Sequence, residues 1–294
     1  MSWILLSIAA AFLWAFCNII DKYVVSSWVV RPAILVIISA IVGLVFGSGV
    51  FFGVGLAPLP APYILLALFS GALSSAWLYL YFKAVKQGEI SRLVPIMYLA
   101  PVFIAVFAWL FLGETLASEK YLGILLLIAG AILVSLKLPL SFSLGNAFWL
   151  MLLATFLSAI NQIVQKYLLG FADFWTIFAY TRFGFILAVA PIIFLYLPDL
   201  IAVYKEKKMK FIGIMAMNDS VNYLGVLIFT LATAIGSVTL TNAIGSVQPF
   251  FVLLLATLLG IFYPKVLKEE ISRSIIALKL ASIVIIFVGG LLIS

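Results

Sequence analysis

Residues 32–82 read PAILVIISAIVGLVFGSGVFFGVGLAPLPAPYILLALFSGALSSAWLYLYF, without an Asp, Glu, Lys or Arg. Crossing a hydrocarbon core about 30 Å thick takes about 20 apolar residues in a helix, so this run is too long for one span. The stretch Ala57-Pro58-Leu59-Pro60-Ala61-Pro62 divides it, because prolines remove helix donors and mark a turn. Lipid leaves no water for unpaired backbone groups, so the flanking runs are predicted as helices. The alternating polar pattern of a membrane barrel is absent.

Extending that reading outward predicts ten spans, near 3–24, 33–56, 63–84, 92–113, 120–137, 146–168, 174–197, 211–233, 239–263 and 273–293. The whole chain agrees: of 294 residues, 66% are hydrophobic and 9% charged, against roughly 25% charged in soluble proteins. Such a chain cannot clothe a water-soluble core, and the predicted fold class is an all-α polytopic membrane protein. There is no histidine, which excludes an imidazole proton relay and the usual metal site. The single Cys17 lies in an apolar helix and cannot form an internal disulfide. No phosphate loop, metal-ligand cluster or nucleophile with a base is found. The chain therefore reads as a non-enzyme without a cofactor. Residues 3–20 lack a basic lead-in and a clean cleavage site, and are taken as a retained first helix.

The net charge of +7 sits in short loops, so it reads as a topology signal and not as a nucleic-acid footprint. Loops after odd-numbered spans hold Lys22, Arg31, Lys83, Lys86, Arg92, Lys137, Lys205, Lys207, Lys208, Lys210, Lys265, Lys268 and Arg273, whereas the opposite face has Lys120 and Lys166. The positive-inside rule then places the first face in the cytoplasm and both termini outside the cytoplasmic membrane.

The two halves of the chain, 1–137 and 138–294, resemble each other. Asn18-Ile19-Ile20-Asp21-Lys22-Tyr23 falls on Gln162-Ile163-Val164-Gln165-Lys166-Tyr167, and further along Gly88 falls on Gly236, Ser91 on Thr239, Pro101 on Pro249 and Phe103 on Phe251. Five spans per copy is an odd number, so the second copy is expected to be inverted in the membrane. Two inverted five-helix repeats are a secondary-transporter architecture, in which the halves rock around a midplane site.

Three motifs carry a family resemblance: Leu99-Ala100-Pro101-Val102-Phe103, Phe111-Leu112-Gly113-Glu114 and the Gly123 to Gly130 run. Together with Phe12-Leu13-Trp14-Ala15 and Arg182-Phe183, they are similar to EamA-type members of the drug/metabolite transporter superfamily. The likeness covers nearly the whole chain, although the second copy of the Gly-Glu signature is replaced by Tyr263-Pro264-Lys265-Val266-Leu267-Lys268-Glu269-Glu270. The resemblance implies ten helices, a central substrate cavity and no bound cofactor, and leaves the substrate open. It also implies cytoplasmic termini with a basic loop between spans 2 and 3. Here that loop is neutral and its counterpart between spans 7 and 8 is rich in lysine, so the charge count favours the reverse insertion.

Charged residues at membrane depth cost about 2.5–3.5 kcal/mol on insertion scales, which makes those that remain functional candidates. Asp219, Arg182 and Lys279 are the three expected inside spans. Asn222 and Tyr223 share the helix face of Asp219. Two readings stand for Asp219: it lines a cavity, binding a substrate amine or cycling a proton, or it is a structural ion paired with Arg182 or Lys279. For Arg182 and Lys279 the structural reading leads, with the long side chains snorkelling toward an interface. Trp14, Asn18 and Asp21 share one face of span 1, with Ser158, Gln162 and Gln165 at the equivalent positions of span 6. Amide groups there suit neutral or zwitterionic ligands. Asn18 and Gln162 are favoured as cavity lining and Asp21, near its helix end, is not. Ser74 and Trp77 in span 3, Tyr98 in span 4, and Asn242 and Ser246 in span 9 complete the candidate solute-binding set. Tyr81 reads as an interfacial anchor.

The leading functional expectation is a secondary transporter for a small amphipathic, amino-acid-like solute, with Asp219 as a candidate for proton coupling and the lipid bilayer as its surroundings. A flippase for a lipid-linked intermediate and a noncatalytic membrane scaffold or receptor are the alternatives.

Overall fold

The computed structural model describes residues 3–27, 31–112, 118–135, 145–235, 244–262 and 272–293. All of its regular structure there is helical: α1 (Trp3–Ser27), α2 (Pro32–Gly53), α3 (Ala61–Gln87), α4 (Ile90–Met97), α5 (Ala100–Leu112), α6 (Ser118–Ser135), α7 (Asn146–Leu168), α8 (Phe174–Ile235), α9 (Gln248–Phe262) and α10 (Arg273–Ile293). Among the described residues, seven helices are long and apolar enough to cross a membrane. The outer surface suits lipid: Phe194 and Leu195 are 79% and 73% exposed, which in water would form a large apolar patch.

Local chemistry fixes the helix ends. Pro32 opens α2 from an extended Arg31, a position where the missing N–H costs nothing. Between α2 and α3 the chain turns through Gly55, whose φ of 81° favours glycine, and then through the prolines. Asp173 caps α8: its Oδ1 accepts from the backbone N–H of Trp175 at 2.8 Å and of Thr176 at 3.1 Å. The Thr176 hydroxyl donates to Asp173 Oδ2 and accepts from the Ala57 N–H, so the α2–α3 turn is tied to the start of α8.

Span 4 is expected as one helix and is instead two, α4 and α5, meeting at Tyr98-Leu99. Pro101 has no N–H to bond the Met97 carbonyl, and its ring crowds that turn. The chain tightens there through Tyr98 N–H to Pro95 O and Leu99 N–H to Ile96 O bonds at 3.1 and 3.0 Å. Spans 7 and 8 are expected to be separated by the lysine-rich loop, yet helical structure runs through it and α8 is 62 residues long. It nevertheless reverses direction. Arg182 and Tyr223 would lie about 60 Å apart on a straight helix, but their side chains meet at 3.2 Å. Two arms, Phe174–Val203 and Lys210–Ala232, therefore run antiparallel.

Close packing rests on small residues, as is usual between membrane helices. Gly71 of α3 and Gly184 of the first arm of α8 face each other with no room for a Cβ on either side. Gly289 of α10 likewise presses on the Gly123 carbonyl of α6. α1 sits between α3, the second arm of α8 and α9. The ends of α1 and α3 meet α4 and the start of α10 on one side, which also holds the Arg31–Asp199 ion pair at 2.9 Å. We call this the lysine side. The α2–α3 turn and the start of α8 lie at the opposite end.

Candidate functional site

The polar side chains predicted to line a cavity are hydrogen-bonded mainly to residues outside the predicted set, in four groups. The largest surrounds Asp21, which is 7% exposed. Its Oδ2 accepts from the Tyr81 hydroxyl at 2.9 Å and its Oδ1 from Asn218 Nδ2 at 2.7 Å. Asn18 Nδ2 donates to the Tyr81 hydroxyl oxygen at 2.8 Å, and Asn18 Oδ1 accepts from Gln248 Nε2 at 2.7 Å. The Tyr98 hydroxyl, at the α4–α5 break, is 2.8 Å from both Gln248 Oε1 and the Gly245 carbonyl. Cys17 points at the Asn218 carbonyl, 3.5 Å away. Among the described residues no cation lies within 4 Å of the Asp21 carboxylate. Asp21 was expected to matter least on its helix face and is the hub. Tyr81 is no interfacial anchor: it is 2% exposed.

The second group lines α2. Ser39 donates to Asp219 Oδ1 at 3.0 Å, while Asp219 Oδ2 is buried without a partner. Arg182 does not snorkel. Its guanidinium lies 5.4, 5.7 and 5.6 Å from the ring centroids of Phe178, Phe185 and Tyr223, a desolvated cation–π setting, and Nη1 donates to the Tyr223 hydroxyl. Tyr223 shares the face of Asp219 as expected; Asn222 is half-buried beside it. No Arg182–Asp219 pair is closer than 4 Å, so the proposed structural ion pair is not formed with either expected cation.

Lys279 belongs to the third group. It is fully buried, which corrects the expectation of snorkelling. Its Nζ bonds Glu89 Oε2 at 2.9 Å and the Ser91 hydroxyl at 2.8 Å, and Arg92 reaches the same carboxylate at 3.1 Å. Glu89 lies between α3 and α4. Burial raises its pKa, but Lys279 and then Arg92 outweigh that and hold the carboxyl below the usual range. At the far end, the hydrogen bond from Thr176 lowers the pKa of the largely exposed Asp173.

The fourth group joins α3 to α7. Ser70 donates to Asn161 Oδ1 at 2.5 Å, Asn161 donates to Ser74 at 3.2 Å and Gln165 to Ser70 at 3.4 Å. Gln162, expected to face Asn18 across a cavity, is exposed and bonds Ser158 of its own helix at 3.4 Å. Trp77 packs edge-on against Tyr81 and Trp14 tilts onto Phe229, at 5.9 and 5.2 Å. Ser246 is buried close to Gln248; Asn242 lies outside the described residues. A crevice of about 290 Å³ between α2 and the two arms of α8 is lined by Ile38, Ile41, Val42, Leu200, Ile201 and Ile212, and holds none of these polar residues. Sequence reasoning missed Asn218, Gln248, Asn161, Ser39 and Glu89. The polar run Asn218-Asp219-Ser220 was the available signal for the first.

Among the described residues, seven helices long and apolar enough to cross a membrane, with hydrogen-bonded carboxylates and amides between them, define a multi-pass helical membrane protein. Residues 1–136 match the EamA-like transporter family. A relative named "Uncharacterized transporter in cobO 3'region", from Sinorhizobium sp., is 34% identical over 134 residues, covering 45% of this chain and 94% of its own length. The chain therefore belongs to the EamA-like transporter family, within the drug/metabolite transporter superfamily. A solved structure described only as "Crystal structure of protein" shares the fold with a TM-score of 0.56 at 17% identity, over 99% of this chain and 95% of its own.

Proposed function

We propose that the protein is a secondary transporter that carries a small amphipathic, amino-acid-like solute across the cytoplasmic membrane by alternating access between inverted five-helix halves, 1–137 and 138–294. One observation carries the reading. Where α1 crosses the second arm of α8, Cys17 and Asp21 meet Asn218; where α7 crosses α3, Asn161 and Gln165 meet Ser70. These are the same positions under the sequence register of the two halves, now with donor and acceptor helices exchanged between halves. A two-fold axis in the membrane plane generates one contact from the other. The family match, which ends at residue 136, supports the same boundary.

The two ends of this axis are not in the same state. Asn18 is buried and bonded across the halves, whereas its counterpart Gln162 is exposed. On this reading the lysine side is closed and the Gln162 side open, and the charge count turns the lysine side to the cytoplasm. In the proposed cycle Trp14, Asn18, Ser74, Trp77, Tyr98, Gln162, Asn222, Tyr223 and Ser246 line the solute path, and the unpartnered Oδ2 of Asp219 receives the solute's ammonium group. The stacked Arg182 and the buried, carboxylate-bound Lys279 offer no cation to a lipid phosphate, which disfavours a flippase. Uptake of radiolabelled amino acids into liposomes holding the purified protein, above protein-free vesicles and reduced by Asp219→Asn, is expected. Translocation of a fluorescent phospholipid without amino-acid flux would overturn the reading.

A further inference from the structure

The hydrogen bonds around Asp21 all run one way. Tyr98 donates to Gln248, Gln248 to Asn18, Asn18 to Tyr81 and Tyr81 to Asp21, while Asn218 donates to the same carboxylate from the other side. An ionised carboxylate only accepts, so it is the natural end of this chain. Three of its links join the proposed halves: Asp21–Asn218, Asn18–Gln248 and Tyr98–Gln248. We infer that Asp21 is a proton-operated latch, closing the lysine-side gate when ionised and releasing it when protonated.

The geometry gives the reason. A proton on Oδ1 would set an O–H against the donating amide of Asn218. A proton on Oδ2 would set it against the Tyr81 hydroxyl, whose oxygen already accepts from Asn18. The first placement opposes donor to donor across the halves and breaks the Asp21–Asn218 link; the second breaks the Tyr81 bond that orders Asn18 and, through it, the Asn18–Gln248 link between the halves. The proton enters from water on the open, Gln162 side and leaves to water on the lysine side before the latch re-forms. The titratable and charged groups around Asp21 are Cys17 and Lys22 on its own helix, Tyr81 on α3, Arg92 and Tyr98 on the α4–α5 segment, and Asp219 on the second arm of α8. Lys22 is directed to the Val85 and Gly88 carbonyls at 2.9 and 2.6 Å, and α9 has no titratable residue. This inference deepens the proposed alternating access and rests on it for the meaning of the gate.

The chain's one cysteine reports on the latch, because Cys17 is 4% exposed and seated on Asn218. Cys17 labelling by N-ethylmaleimide is compared between full-length wild type and Asp21→Asn in proteoliposomes, without solute or gradient, across pH. The ratio removes the thiol's ordinary ionisation but not the effect of the Asp21 charge one turn away on the thiolate, and Tyr81→Phe, which keeps that charge, separates the two. At alkaline pH, Asp21→Asn is expected to label roughly tenfold faster, since a hydrogen bond to a charged group is lost. The ratio should fall toward one with acid, as wild-type Asp21 takes up its proton. Tyr81→Phe, which keeps the carboxylate, should label faster than wild type at alkaline pH and lose that excess in acid. Asp173→Asn, at the opposite end of the bundle, should leave the wild-type pH profile in place. A ratio near one at alkaline pH, a ratio unchanged by pH, or Tyr81→Phe labelling like wild type throughout would each overturn the latch. Solute flux is measured separately, so absent flux with the expected labelling removes the transport reading and leaves the latch.

Discussion

Replacing Gly184 by alanine tests how the bundle is held together. A Cβ at that position would lie 2.5 Å from the Leu68 Cα and 2.6 Å from its carbonyl carbon, where ordinary contact begins at 3.4 Å. These are backbone atoms of α3, so no side-chain rotation relieves the clash, and α3 must move away by about 1 Å. Overpacking typically costs about 1–3 kcal/mol, and this case belongs at the upper end. Alanine returns about 1 kcal/mol as a better helix former than glycine, leaving a net loss of about 2 kcal/mol, or roughly thirtyfold in the folded ratio. Gly213→Ala is the matched control, because nothing lies within 4 Å of its Cβ position, and it should be neutral or slightly stabilising. The assay is survival of the monodisperse peak in detergent after heating. Combining Gly71→Ala with Gly184→Ala should cost less than the sum, since one separation of the helices accommodates both. Gly184→Ala as stable as Gly213→Ala would refute the packing argument. The displacement also has a functional consequence, because α3 carries Tyr81 and Ser74.

Glu89 has a depressed pKa in the fold, so its stabilisation is present above the ordinary carboxylate range and is lost as pH falls through the lower folded value; Glu89→Gln should flatten that acid limb in thermal melts. Asp173→Ala removes the cap of α8 and should cost about 1 kcal/mol, read as a lowered unfolding midpoint, with Asp173→Asn retaining most of the cap. Arg182→Lys exchanges a planar cation resting on three rings for a point charge and should lower stability by about 1 kcal/mol, measured by the same heating assay. Fusions to the C-terminus should report an external location, with a reporter active only outside the cytoplasm giving signal.

Helical spans were readable because lipid imposes one solution on a charge-free run, and the prolines at 58, 60 and 62 marked the turn. The break at Tyr98 was less visible. Pro101 stands in an apolar run that reads as one span, and whether a proline bends or divides a helix depends on neighbours that only packing supplies. The lysine-rich segment between spans 7 and 8 read as a loop by composition, yet lysine is a good helix former, and the reversal of α8 is accomplished with helical bonding kept. Among site residues, Asp219 drew attention because it lies far inside a span, and Asp21 was not favoured as cavity lining because it lies near a helix end. That end of α1 is covered by α3, α9 and the second arm of α8. Which of Asp21's neighbours donate to it is a long-range property, set by residues some 60 and 200 positions away, and no local pattern encodes it.

On the proposed two-fold axis, the difference between the halves gives a reason for the proposed closure on the lysine side. Asp21 has Gln165 as its counterpart, Tyr81 has Phe229, and Gln248 has Ala100. The far end therefore lacks the acceptor-only carboxylate, the hydroxyl that feeds it and the amide that extends the chain; Phe229 instead packs on Trp14. Hydrogen bonds to a charged group are worth about 1.5–3 kcal/mol each; of the two at Asp21 only that from Asn218 joins the halves, so on the proposed reading it biases the bundle toward lysine-side closure by about that amount. Reversing a two-state population from 1:99 to 99:1 takes about 5.5 kcal/mol, so this one bond supplies a sizeable share of such a bias and would oppose the other orientation if it were permanent. A carboxylate makes it conditional, since one proton converts an acceptor into a donor. Glutamine at position 165 cannot be switched in this way, so in the proposed latch protons act on one gate and not on the other. On that reading, chemical asymmetry laid over structural symmetry turns two equivalent orientations into a cycle with a controlled step.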